Sequence, residues 1–95
     1  MTPLTQQSAE VLALEALGWL VGHEDLLPVF LGSTGVGEAE LRARAVEPEF
    51  LASVLDFILL DDAWVLEFAR AADHAPEMVL RARGALPGGA AVNWT

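Results

Sequence analysis

The stretch that most limits what this chain can fold into is Phe50-Leu-Ala-Ser-Val-Leu-Asp-Phe-Ile-Leu-Leu60, an apolar run broken only by Ser53 and Asp56. Wound at 100° per residue, Phe57, Phe50, Val54, Ile58, Leu51, Leu55 and Leu59 cover an arc of about 200°, roughly twice what a surface helix buries. A helix this apolar needs cover on two sides, so the rest of the chain is expected to wrap it. At 95 residues there is material for one domain with one core, above the size at which staples become common.

Composition narrows the class of protein. There is no Cys, hence no disulfide and no thiolate metal site, and 54% of residues are hydrophobic, too many for a disordered chain. The apolar runs are broken by Glu15, Asp56 and the Asp61-Asp62 pair, well short of the roughly 18 residues a membrane span requires. The opening Met-Thr-Pro-Leu-Thr-Gln-Gln lacks the basic and apolar regions of a signal peptide. The expectation is a soluble cytoplasmic protein. Net charge is −9, and all five cations are Arg: Arg42, Arg44, Arg70, Arg81 and Arg83. Such a chain is repelled by phosphate backbones and anionic lipid unless its Arg residues gather on one face. The charge therefore points to protein partners and away from nucleic acid and membrane.

Taken in order, residues 1–7 read as a flexible lead-in. Thr5 or Ser8 can cap a helix that reaches Val21, with Leu12, Leu14, Ala16, Leu17, Trp19 and Leu20 on its wide apolar side and Gly22 at its end. His23-Glu-Asp opens a short second helix carrying Leu26, Leu27, Phe30 and Leu31, and the Gly32-Ser-Thr-Gly-Val-Gly37 loop stops it. A third helix runs over residues 38–46, and Pro48 opens the central fourth. Asp61 and Asp62 cap a fifth over residues 63–72, burying Trp64, Val65, Phe68 and Ala72. Pro76 opens a sixth, which Gly84 and Pro87-Gly-Gly89 close. Residues 87–95 form a flexible tail in which only a docked Trp94 would be held.

The two halves of the chain, 8–46 and 47–85, match at an offset of 38: Leu17 with Leu55, Trp19 with Phe57, Leu20 with Ile58, Phe30 with Phe68. One inserted residue then lays Leu41-Arg-Ala-Arg44 on Leu80-Arg-Ala-Arg83. This predicts an all-α domain, residues 8–86, built as a compact bundle of about six short helices in two three-helix repeats related by pseudo-twofold symmetry. Its expected core is Leu17, Trp19, Leu20, Phe30, Phe50, Val54, Phe57, Ile58, Phe68 and Leu80. The Ala-Leu-Gly-Trp-Leu segment within residues 12–22, the Phe30 to Gly35 stretch, Phe50-Leu-Ala-Ser-Val-Leu-Asp-Phe57 and residues 68–83 resemble a family of small bacterial, mainly alphaproteobacterial, proteins known as domain of unknown function three-five-seven-two. The resemblance covers nearly the whole chain, and it implies no activity and no functional residues.

Three motifs invite a functional reading. Gly32-Ser-Thr-Gly-Val-Gly37 imitates a phosphate-binding loop, but Glu38 stands where Lys must reach the phosphates and Ala39 where Ser or Thr must hold Mg²⁺. Residues 64–86 imitate a helix-turn-helix with Glu77, Arg81 and Arg83 outward, yet Arg81 and Arg83, two positions apart, diverge by about 160°. His23-Glu24-Asp25 with Asp61, Asp62, Asp73 and His74 has acids and imidazoles but no i, i+3 or i+4 ligand spacing. Asp56, opposite the apolar arc, is expected to be solvated or paired with an Arg. The sequence therefore predicts no catalytic, metal or cofactor-binding residue, no cofactor and no nucleotide. The expected role is a non-enzymatic interaction or oligomerisation module with a protein partner or second copy, against the alternative of a degenerate helix-turn-helix regulator.

Overall fold

The computed structural model describes residues 4–88, which form six α-helices and no strand. They are α1 (Gln6–Val21), α2 (Leu27–Thr34), α3 (Leu41–Arg44), α4 (Pro48–Ile58), α5 (Asp62–Ala72) and α6 (Glu77–Gly84), with a 3₁₀ turn at Glu38–Glu40 ahead of α3. The fold is an all-α bundle. Expectations for residues 1–3 and 89–95, the docking of Trp94 included, lie outside the described residues. Gln6 and Gln7, read from sequence as lead-in, already belong to α1.

Local chemistry sets the boundaries. The Thr5 hydroxyl accepts from the Ser8 N–H at 3.0 Å and starts α1. Pro48 sits in the first turn of α4, where its missing N–H costs nothing. The Asp61 carboxylate accepts from the Ala63 N–H at 2.8 Å and starts α5. Pro28 has the same effect on α2: a helix begun at His23 would put Pro28 where an N–H is required, so residues 24–26 form a turn and α2 begins at Leu27. Gly32, expected to end α2, is helical. The helix runs to Thr34 and closes at Gly35, whose φ of 75° is left-handed. The third helix is also shorter than expected, one α-turn ending at Arg44 and not at Val46.

α1 and α4 lie against each other at the centre, α6 packs on both, α5 leans on both, and α2 covers α4. Phe30, Phe68, Leu20, Leu55, Ile58, Val54 and Val79 are the largest fully enclosed side chains, and Leu17, Phe50 and Phe57 are also buried. No polar or charged residue is buried as a whole among the described residues, so the core holds by apolar packing. An aromatic row crosses it. Phe30 meets Phe50 and Phe57 edge-on at 5.8 and 5.3 Å, and Phe57 stacks on Trp64 at 5.0 Å. Trp19 is only half-buried, its ring against Phe68 and His23 at the rim. Leu80 corrects the expected core: it is 65% exposed, because α6 turns Val79 and Ala82 inward and Leu80 falls on the opposite face.

Burial recurs at a spacing of 38 residues. Leu12, Ala13, Ala16, Leu17, Leu20, Phe30 and Leu41 are buried, and so are Phe50, Leu51, Val54, Leu55, Ile58, Phe68 and Val79. Backbone hydrogen bonds recur at the same spacing: His23 N–H to the Leu20 carbonyl and Asp61 N–H to that of Ile58, then Glu40 N–H to Gly37 and Met78 N–H to Ala75. The left-handed cap at Gly35 has its counterpart in Asp73, with φ of 61°. At this spacing Leu41 falls on Val79, and not on Leu80 as the inserted residue that matches the two Leu-Arg-Ala-Arg segments would have it: Leu41 and Val79 face the core and Leu80 faces out.

The two caps make opposite predictions. Asp73→Gly should stabilise the domain by up to about 1 kcal/mol, since Gly adopts the left-handed region without a Cβ penalty. Gly35→Ala should destabilise it by about 1 kcal/mol through that same penalty, because a Cβ there meets no neighbouring atom. Urea unfolding of the two variants measures both signs.

Candidate functional site

The outer face of α1 is apolar and uncovered. Val11, Leu14, Gly18 and Val21 follow each other at intervals of three, four and three, the spacing of a helix-pairing seam. Val11 is 56% exposed, Leu14 45% and Val21 50%. Leu14, assigned from sequence to the covered side of this helix, belongs to this open stripe. The stripe runs into a groove of about 340 Å³ between α1 and α3, lined by Leu14, Leu17, Gly18, Val21, Leu41, Arg42 and Ala45.

Two small residues, Gly18 and Ala45, shape this groove. In the second half, the Arg83 guanidinium donates to the Asp56 carboxylate and closes the seam between α6 and α4. Thirty-eight residues earlier in the sequence stand Ala45 and Gly18. Neither side chain reaches across, and a Cβ at Gly18 would meet nothing within 4 Å. With α3 only one turn long, the space stays open. Arg42 stands exposed at its edge, without a hydrogen bond or ion pair among the described residues.

A second cleft, about 380 Å³, lies between the end of α2 and the start of α4, lined by Ser33, Thr34, Val36, Arg44, Glu47, Glu49, Phe50 and Ser53. Its hydroxyls are committed to their own helices: Ser33 and Thr34 donate to the Phe30 carbonyl at 2.9 and 3.0 Å, and Ser53 donates to that of Phe50 at 2.6 Å. Arg44 pairs with Glu47 at 2.8 Å and lies over the Phe50 ring, its Nε buried without an acceptor. No imidazole lines this cleft, so its hydroxyls have no His to activate them.

The structure separates the residues of the sequence motifs. In the glycine segment, Gly35 N–H donates to the Leu31 carbonyl, Val36 N–H approaches Thr34 Oγ1 at 3.4 Å, and Gly37 N–H donates to Glu40 Oε1 at 2.9 Å. These amides are spent inside the chain, where a phosphate cradle needs them free. His23 and His74 stand in different pairs, with Glu67 at 3.4 Å and with Glu15 at 2.6 Å, each tying α5 or its end to the α1 region. No three His, Asp or Glu side chains converge on one point among the described residues. Arg83, placed from sequence on a recognition face, is turned inward to Asp56 and the Pro87 carbonyl. No described helix is long and apolar enough to cross a membrane.

The seam on α1 was legible as spacing but not as a surface. That helix is apolar on nearly every side, and periodicity alone does not tell which of its faces the bundle covers. Neither a curated protein nor a solved structure matches the chain. A family described as Protein of unknown function (DUF3572) matches residues 6–89. With nearly its whole length inside that match, the chain belongs to the DUF3572 family.

Proposed function

We propose that this protein is a non-catalytic interaction or oligomerisation module that engages a protein through the exposed seam of α1 and the groove beside it. The observation that carries this reading is the alignment of Val11, Leu14, Gly18 and Val21 on one uncovered face that continues into the groove. Scattered exposed apolar residues are ordinary, whereas a contiguous row at pairing intervals on one helix marks a contact surface. A cytoplasmic setting without membrane, nucleic-acid or nucleotide partners fits the Cys-free composition and the net charge of −9. The inward turn of Arg83 removes support from the helix-turn-helix alternative, which needs its cations outward.

We also propose that the domain is an internal duplication with pseudo-twofold halves, supported by the 38-residue recurrence of burial, caps and hydrogen bonds. On this reading the first half kept an open seat where the second half closed its own with Arg83 and Asp56.

Calorimetric titration with Mg²⁺-ATP should release no heat. Duplex DNA should bind more weakly than the usual non-specific range of about 10⁻⁴ to 10⁻⁶ M. Capture of proteins from a lysate or from a second tagged copy should be lost when Val11, Leu14 and Val21 are all changed to Asp, while the melting temperature holds. A micromolar, salt-sensitive DNA complex, or unchanged capture by the triple variant, would sink the module reading.

A further inference from the structure

We infer that the occupant of the α1 seam is a second copy of this chain, packed antiparallel across a twofold axis that crosses the seam at the height of residue 16 along the helix. The inference rests on the interaction-module reading and names its partner. Val11, Leu14, Gly18 and Val21 are spaced symmetrically about that residue, so the seam presents the same intervals from either end. Antiparallel pairing sets Val11 against Val21 of the partner subunit and Leu14 over Gly18 of the partner subunit. The large side chain then enters the space that the glycine leaves, where a Cβ meets nothing in the single chain. A parallel pair would instead set leucine on leucine and leave the two glycines facing across a void.

Charge supports the same arrangement. At about 100° per residue, Glu10 lies about 20° from both Leu17 and Val21, which places it on the groove side of the seam near the start of α1. Arg42 lines that groove, whose α1 wall, Leu14, Leu17, Gly18 and Val21, belongs to the second half of the helix. A twofold axis across the seam keeps the groove side on the same flank in both copies while reversing the helix direction. It therefore brings Arg42 to Glu10 of the partner subunit, and does so twice. Among the described residues of one chain, Arg42 makes no ion pair and the Glu10 carboxylate is held only by the Gln6 amide at 3.0 Å. The like charges on α1 are kept apart, since Glu10 is set opposite the end of the partner helix and not opposite its own copy.

Sedimentation equilibrium of the full chain, from micromolar concentrations to about 1 mM, decides the matter. Wild type should show a reversible monomer–dimer equilibrium. Gly18→Leu should weaken dimerisation at least tenfold while leaving the melting temperature of the monomer unchanged or higher, because the added side chain points to solvent in one copy and only a partner collides with it. Arg42→Glu should weaken it as well, and Glu10→Arg combined with Arg42→Glu should restore it. Since the chain has no Cys, orientation is read by disulfide capture: Val11→Cys with Val21→Cys should cross-link under mild oxidation, and Val11→Cys alone should not. A strict monomer at about 1 mM overturns self-pairing. A dimer untouched by Gly18→Leu, or one that cross-links through Val11→Cys alone, overturns this interface while leaving a module that associates through another face.

Discussion

Phe30→Ala should remove a large share of the stability of this domain. Phe30 is fully enclosed and meets both Phe50 and Phe57 edge-on, so its removal empties the middle of the aromatic row. Truncation of a buried Phe costs about 3–5 kcal/mol, against a total stability of roughly 5–14 kcal/mol for a domain of this length. At about 4–8 °C per kcal/mol for small domains, the melting temperature followed by circular dichroism should fall by at least about 12 °C. Phe57→Ala should follow closely, since Phe57 is buried between Phe30 and the half-exposed Trp64. Phe30→Ala melting within a few degrees of wild type would mean that the row is not the centre of the core.

Ala13→Leu should be the most damaging conservative change on α1. Ala9, Ala13 and Ala16 are all fully buried, and these small side chains are what lets α1 lie close to the helices it packs on. Three added carbons at Ala13 have nowhere to go, and overpacking of this kind costs about 1–3 kcal/mol. One residue along the helix, Leu14→Ala should change monomer stability by no more than about 0.5 kcal/mol, and Leu80→Ser should be as mild, because both leucines face outward. Equal losses from Ala13→Leu and Leu14→Ala in dilute protein would contradict the orientation of α1.

The pair of neighbours Ala13 and Leu14 shows how far pattern carries. A hydrophobicity rule places Leu14 inside and is indifferent to Ala13, and the structure does the reverse. The reason is steric. Where two helices approach closely the best-buried residue is a small one, and hydropathy does not measure distance between axes. Leu80 went the same way: a matching Leu-Arg-Ala-Arg string suggested a buried leucine, but the phase of α6 is set by Val79, Ala82 and Leu86 gripping the core. Elements whose boundaries are written in local chemistry were read closely. Thr5, Pro48 and Asp61 act within a turn of where they stand, so α1, α4 and α5 begin within a residue or two of the expected places.

The sequence by itself determined that this chain is helical, that the segment opened by Pro48 must be wrapped on two sides, and that Phe30 and Phe68 share a spacing of 38 with the residues around them. These follow from periodicity, caps and the breadth of an apolar arc, all of which are properties of neighbouring residues. Only the tertiary structure decided which apolar face of α1 stays open, and that Gly18 and Ala45 leave a groove where Asp56 and Arg83 close one. Burial on a helix that is apolar all round is settled by the helices that arrive against it, and the distance between positions 18 and 45 is a property of packing that no local pattern encodes.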